Sequence, residues 1–168
     1  MKERKTVRKW FWVWDFDKEE QWLNEMAMSG WALVSVGWCS YTFEECEPGE
    51  YTIRLEMHGA DDSYISFMRE TGADYIGRVF AWIYFKKLSA EGEFDLYSDI
   101  DSRISHLRRI SLMLAVIGGA NLAIGFFNCM NGVRLGAVNL IVATVLMYGL
   151  GRIHGKKEAL EKDKMVME

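Results

Sequence analysis

Two apolar runs, Ile110–Met130 and Val133–Leu150, stand almost back to back in this chain, with only Asn131 and Gly132 between them. No Asp, Glu, Lys or Arg falls between Ile110 and Val133, and Arg134 is the single charged residue from there to Arg152. Runs of roughly 18–21 residues, at about 1.5 Å each in a helix, span a hydrocarbon core of about 30 Å. A helical hairpin of a soluble protein would carry a polar face, and neither run does. The stretch Ile110–Ile153 therefore reads as a transmembrane hairpin (110–130 and 133–152), and the bilayer as the first partner of the chain. Arg103, Arg108 and Arg109 precede it and Arg152, Lys156 and Lys157 follow it, while the turn holds only Arg134. The excess of Lys and Arg at the outer ends puts both termini in the cytoplasm of a two-helix protein of the cell membrane.

Polar and small residues within the runs share helix faces: Gly118, Asn121, Gly125 and Asn128 in the first, Gly132, Gly136, Asn139 and Ala143 in the second. In an antiparallel pair these faces meet, with Asn121 near Ala143 and Asn139 near Gly125. Small residues let backbones approach, and each amide could bond across for about 1 kcal/mol. This reads as helix packing by Gly118, Asn121, Gly125, Gly136, Asn139 and Ala143. A polar transport path would need oligomers, because two helices cannot enclose a pore.

Residues 1–109 hold 14 Lys and Arg against 20 Asp and Glu, so the segment before the hairpin is acidic. Nucleic acid is a poor partner for such a surface, since binding depends on neutralising phosphates. Three cysteines without CxxC spacing suit a reducing compartment. The basic start runs into aromatic and charged residues without the apolar core of a signal peptide. No pair among His58, His106 and His154 has metal-ligand spacing. Phosphate-loop, dinucleotide and nucleophile-elbow motifs are absent, as is a nucleophile with its base. The expectation is of no enzyme, no metal and no cofactor.

The first 87 residues read as a repeated β-α-β unit. Trp10–Trp14 forms an aromatic strand, and Asp17 three residues before Glu20 is a carboxylate capping box opening a helix. Trp22, Leu23 and Met26 share a face, Gly30 ends the helix, and a strand follows that either bends at Gly37 or folds back there as an extra hairpin. The pattern recurs 42 residues later: Trp22-Leu23 matches Tyr64-Ile65, Met26 matches Met68, Ser29-Gly30 matches Thr71-Gly72, Val34 matches Ile76 and Trp38 matches Phe80. The implied class is α+β: a ferredoxin-like duplicated β-α-β antiparallel sheet with two helices, repeats at about 8–45 and 50–87. A linker (88–98), a juxtamembrane helix with the hairpin (99–153) and a charged tail (154–168) complete the chain.

The strand Tyr51–Met57 alternates Tyr51, Ile53, Leu55 and Met57 against Thr52, Arg54 and Glu56. If helices cover the first set, Arg54 and Glu56 lie on an open face beside Trp10, Trp12, Trp14, Trp82 and Tyr84. Such a face is either a platform for a small ligand or a protein partner, or rings packed under other parts of the chain or a second copy.

The segments WDFDKEEQWLNEMAMSGWALVSVG (14–37), YTFEECEPGEYTIRLE (41–56) and YIGRVFAWIYFKK (75–87) resemble a bacterial family known as domain of unknown function 2812, over about residues 8–109. The resemblance implies a cytoplasmic domain preceding membrane helices, often encoded beside PadR-type regulators, and carries no catalytic residues. The expectation is a membrane-anchored, non-enzymatic regulatory or sensory module that binds a small ligand or partner protein, or assembles with itself. The alternative is an accessory subunit of a membrane transporter.

Overall fold

The structure, a computed structural model, describes residues 2–59, 61–97 and 99–167. It divides into two units, Met1–Ser98 and Asp99–Glu168. The first contains β1 (Arg4–Arg8), α1 (Phe16–Met28), β2 (Trp31–Gly37), β3 (Ser40–Glu45), β4 (Tyr51–Met57), α2 (Asp62–Glu70), β5 (Asp74–Val79) and β6 (Trp82–Leu88). The second contains α3 (Ile100–Met130) and α4 (Leu135–Met167). This is a mixed α and β fold, with two small antiparallel sheets and two long apolar C-terminal helices.

The single ferredoxin-like sheet expected from the sequence does not form. The order is β-α-β-β twice, giving two three-stranded sheets, β1-β3-β2 and β4-β6-β5. The chain does fold back after Gly37: β2 and β3 are joined by a tight turn with Cys39 at φ 52°. β5 and β6 repeat the device, with Phe80 at φ 53°. Both hairpins also skip one residue in register, Val34 in β2 and Ile76 in β5, two positions the 42-residue offset pairs. These strands pack side by side: a Cβ added to Gly77 would lie 3.1 Å from Val36 Cγ2. Bulges bend a strand and interrupt its ladder. Two bulged strands facing each other explain why the halves stay separate sheets.

The opening strand also moves. Trp10–Trp14 is not a strand; β1 is the charged segment before it, paired with β3 from Arg4 opposite Glu44 to Arg8 opposite Ser40. Thr6 lies opposite Thr42 and Leu55 opposite the equivalent Tyr84, so the first half carries seven more residues between strand and helix. Those residues hold the aromatic run, which ends in a single 3-10 turn, Val13–Asp15. Its alternation of rings imitates the two-residue period of a strand, yet Trp12 and Trp14 stack on each other (4.8 Å, 7° between planes).

The 3-10 turn starts α1 earlier than the capping pattern suggested, so Asp15 is the N-cap and makes no side-chain cap bond. Glu20, released from capping, reaches sideways to β4, where its Oε2 accepts from the Leu55 N–H (3.1 Å). Asn24 does the same one turn later: Nδ2 donates to the Ile53 carbonyl (2.8 Å), and the Ile53 N–H donates to Oδ1 (2.9 Å). β4 is an edge strand, and unpaired edges invite foreign strands. Two side chains of α1 occupy this one. Asn24→Ala leaves a half-buried N–H and C=O without these bonds, and should cost about 2 kcal/mol at roughly 1 kcal/mol per hydrogen bond. Urea denaturation with tryptophan emission as the signal measures it, and a midpoint equal to wild type would show that the edge needs no cover.

The main core joins Leu23 and Ala27 of α1, Leu33, Tyr41 and Phe43 of the first sheet, and Ile53, Leu55 and Tyr84 of the second. A smaller core packs α2 through Met68 onto Ile83 and Phe85, under Phe94. The second sheet is thereby covered on both faces.

In the C-terminal unit, Asp99 opens α3 with a capping box to Ser102. Both helices are long and apolar enough to cross a membrane. The residues expected as a charged tail are no separate segment: α4 continues through them to Met167, and Lys164 Nζ grips both oxygens of Asp101 (2.8 and 2.9 Å). Small residues lie along the contact between α3 and α4. A Cβ on Gly118 would fall 2.9 Å from Met147 Cε, one on Gly125 would fall 3.1 Å from Asn139 Cβ, and Ala143 is buried. Asn121 departs from its expected cross-helix bond. Its Nδ2 donates to the Ile117 carbonyl in its own helix (2.9 Å), the nearest acceptor one turn back.

Candidate functional site

The seven residues expected on one aromatic face disperse. Glu56 is buried beneath α2, where the Tyr64 hydroxyl donates to its Oε2 (2.7 Å). Arg54, half-buried, pairs with Glu20 Oε1 at 3.4 Å and donates to the Ile53 carbonyl. Trp82 packs against Phe16 (5.5 Å between ring centroids). Trp14 and Tyr84 are buried. The anticipated platform fails because α2 lies on the Arg54–Glu56 face while α1 and the first sheet cover the other. Only Trp10 and Trp12 remain on the surface.

Those two belong to a different cluster. Trp10 is 55% exposed, Trp12 45%, Trp38 70% and Phe80 72%. Trp10 and Trp12 meet edge to face at 5.5 Å. Trp38, from the β2–β3 turn, meets Phe80, from the β5–β6 turn, at 5.7 Å. Trp10 and Trp38 also line one open groove of about 510 Å³ with Arg8, Lys9, Cys39 and Ser40. Local structure holds the groove together. The Lys9 N–H donates to the Cys39 carbonyl, extending the β1–β3 ladder by one bond. The Lys9 ammonium lies over Trp22 (4.4 Å to the ring centroid), a cation–π contact. Phe80 adopts a left-handed conformation that bulky residues seldom take, and such positions concentrate where function needs them. Sequence reasoning paired Trp38 with Phe80 as equivalents but did not place them on a site. Their signal was a large ring at the tip of each tight hairpin.

A second arrangement was missed entirely. Glu19, buried in α1, receives the hydroxyls of Tyr41 (2.7 Å) and Tyr84 (2.6 Å) on one oxygen, Oε1. Burial raises the Glu19 carboxyl above its ordinary range, against the lowering effect of bonds from Tyr84 and Tyr41. Burial and the facing carboxylate push both phenols up, so they stay protonated donors. The triad ties α1 to both sheets. Glu19 stands four residues before Leu23 and eight before Ala27, so it sits on the buried stripe of α1, a periodicity that could have revealed it.

Among the described residues, no three His, Cys, Asp or Glu side chains group as metal ligands. Chemically, the aromatic end offers apolar rings, cations and open access, which suits binding. The buried triad offers a proton-bearing network that links α1 to both sheets.

Residues 15–118 match the family described as a protein of unknown function, DUF2812. No curated protein and no solved structure matches the chain. The match covers more than half of the chain, which belongs to that family.

Proposed function

We propose that this member of the DUF2812 family is a membrane-anchored, non-enzymatic regulatory or sensory module. In this reading α3 and α4 are the membrane anchor, with both termini cytoplasmic, and the N-terminal domain is the part that recognises a ligand or partner. The two β-α-β-β halves are products of an internal duplication, and the seven extra residues of the first half are where a binding function was added.

One observation carries the reading: Trp10, Trp12, Trp38 and Phe80 are exposed together. Most large rings of the domain are at least half covered. Contiguous exposed apolar patches mark interaction sites, and Trp beside Arg is typical of binding surfaces. The buried carboxylates are held inside the domain, Glu19 by the hydroxyls of Tyr41 and Tyr84 and Glu56 by that of Tyr64, away from the exposed rings. The transporter-subunit alternative finds less support, because the glycine seam is consumed between α3 and α4.

A photocrosslinking amino acid in place of Trp38 tests this in intact cells. Irradiation should yield an adduct from position 38 and none from Thr6, on the outer face of the first sheet. Absence of any adduct at position 38 would remove the site.

A further inference from the structure

Trp38 and Phe80 stand together only while two separate hairpins stay aligned, and no backbone ladder aligns them. Trp38 is at the tip of the β2–β3 hairpin and Phe80 at the tip of the β5–β6 hairpin, with ring centroids 5.7 Å apart. Among the described residues β2 and β5 belong to different sheets and share no ladder. They meet through apolar contact, as where Val36 lies against Gly77. Apolar contact is non-directional. It holds two hairpins together without fixing how far one has slid along the other.

Glu19 supplies the missing direction. The Tyr41 and Tyr84 hydroxyls donate to a single oxygen, Glu19 Oε1, at 2.7 and 2.6 Å. Register puts both donors level with the close approach of the hairpins: Tyr41 is opposite Val36, and Tyr84 is opposite Gly77. The rings lie just beyond, three residues from Tyr41 to Trp38 and four from Tyr84 to Phe80. An O–H···O bond is made over only about 2.5–3.0 Å. A slip of one hairpin past the other by one residue, about 3.4 Å, therefore breaks one of the two bonds. Glu19 is buried, so water does not compete for the hydroxyls, and hydrogen bonds gain strength away from water. Its helix is itself bonded to β4 through Glu20 and Asn24, which makes the shared oxygen a fixed reference for both hairpins. Resting on the reading above, in which the exposed rings recognise a ligand or partner, we infer that Glu19 is a positioning residue for that surface. Its carboxyl holds the two hairpins in one alignment and so keeps Trp38 and Phe80 side by side.

Fluorine NMR of the full-length protein, with para-fluorophenylalanine in place of Phe80, reads the alignment without any partner, because the Trp38 ring beside it shifts the signal. Trp38→Ala marks where the signal falls when that ring is gone. Tyr41→Phe and Tyr84→Phe each remove one bond and leave the core ring in place. Each should move the fluorine signal toward the Trp38→Ala position at temperatures well below melting. Each should also lower the adduct yield from a crosslinker at position 38 by about fivefold, the factor one net hydrogen bond is worth in an equilibrium. Glu19→Gln, whose amide oxygen still accepts, should keep both readings at wild type. A fluorine signal that stays in place in both tyrosine variants, with only the melting temperature lowered, would overturn the inference and leave Glu19 a purely structural residue. A moved signal with undiminished crosslinking would overturn it too. Absence of any adduct at position 38 in the otherwise wild-type chain overturns the recognition reading instead, and fluorine still decides the alignment of the rings.

Discussion

Glu19→Ala should destabilise the N-terminal domain by on the order of 3 kcal/mol or more, the largest loss expected from a single polar residue. It strands two buried hydroxyls, Tyr41 and Tyr84, each costing about 1–3 kcal/mol when left without a partner. Against a total stability of about 5–15 kcal/mol, that leaves a domain close to unfolding. Glu19→Gln behaves differently because the amide oxygen still accepts from the tyrosines and no charge is buried. The pH dependence distinguishes carboxyl from amide. The Glu19 carboxyl is raised in the fold, so its favourable contribution is complete below its unfolded value near 4.5 and is lost as pH climbs through the raised folded value. Wild type should therefore lose stability relative to Glu19→Gln over that climb, by about 1.4 kcal/mol for each unit separating the two values. Below pH 4.5 the two should run parallel. Urea midpoints from pH 4 to 8 measure this, and a pH-independent difference would mean that the carboxyl is not raised.

Gly136→Val should be the most damaging substitution in the C-terminal unit. A Cβ at Gly136 would stand 2.7 Å from Cys129 Sγ, 2.8 Å from the Cys129 nitrogen and 2.8 Å from the Gly125 carbonyl oxygen. Two of those are backbone atoms that cannot swing aside, so the helices must separate next to their turn. Overpacking of this kind costs about 1–3 kcal/mol, and the seam that small residues permit is lost over its length. The control is built in: nothing lies within 4 Å of a Cβ at Gly119, and Gly119→Val should leave the hairpin intact. Thermal aggregation in detergent, with maleimide labelling of Cys129, reports both. Equal behaviour of the two variants would argue that α3 and α4 do not pack closely.

Much of this architecture was legible because local and tertiary signals agree. Helix periodicity followed by Gly30 and Gly72, both at positive φ, located α1, α2 and the strands after them. The 42-residue offset even paired Val34 with Ile76, where both bulges lie. The apolar runs located α3 and α4. What failed were features settled by distant partners. The segment RKTVR looks solvated, yet it is β1 because β3 offers it a free edge, whereas WFWVW has the better strand composition and no ladder to join. Arg54 and Glu56 alternate correctly, but alternation assigns faces without saying what covers them, and α2 covers theirs. The aromatic end needed three segments brought together by folding. The triad needed Glu19 to be read against Leu23 and Ala27 rather than beside Lys18 and Glu20.

The treatment of strand edges has a consequence for assembly. Of the four outer strands, β2 and β5 face each other, and Glu20 and Asn24 occupy β4. Among the described residues, that leaves β1 as the edge open to pairing. A particle with a single open edge is monovalent: it can join one neighbour edge to edge and then has nothing left to offer. Edge-to-edge pairing through β1 would therefore end at two copies.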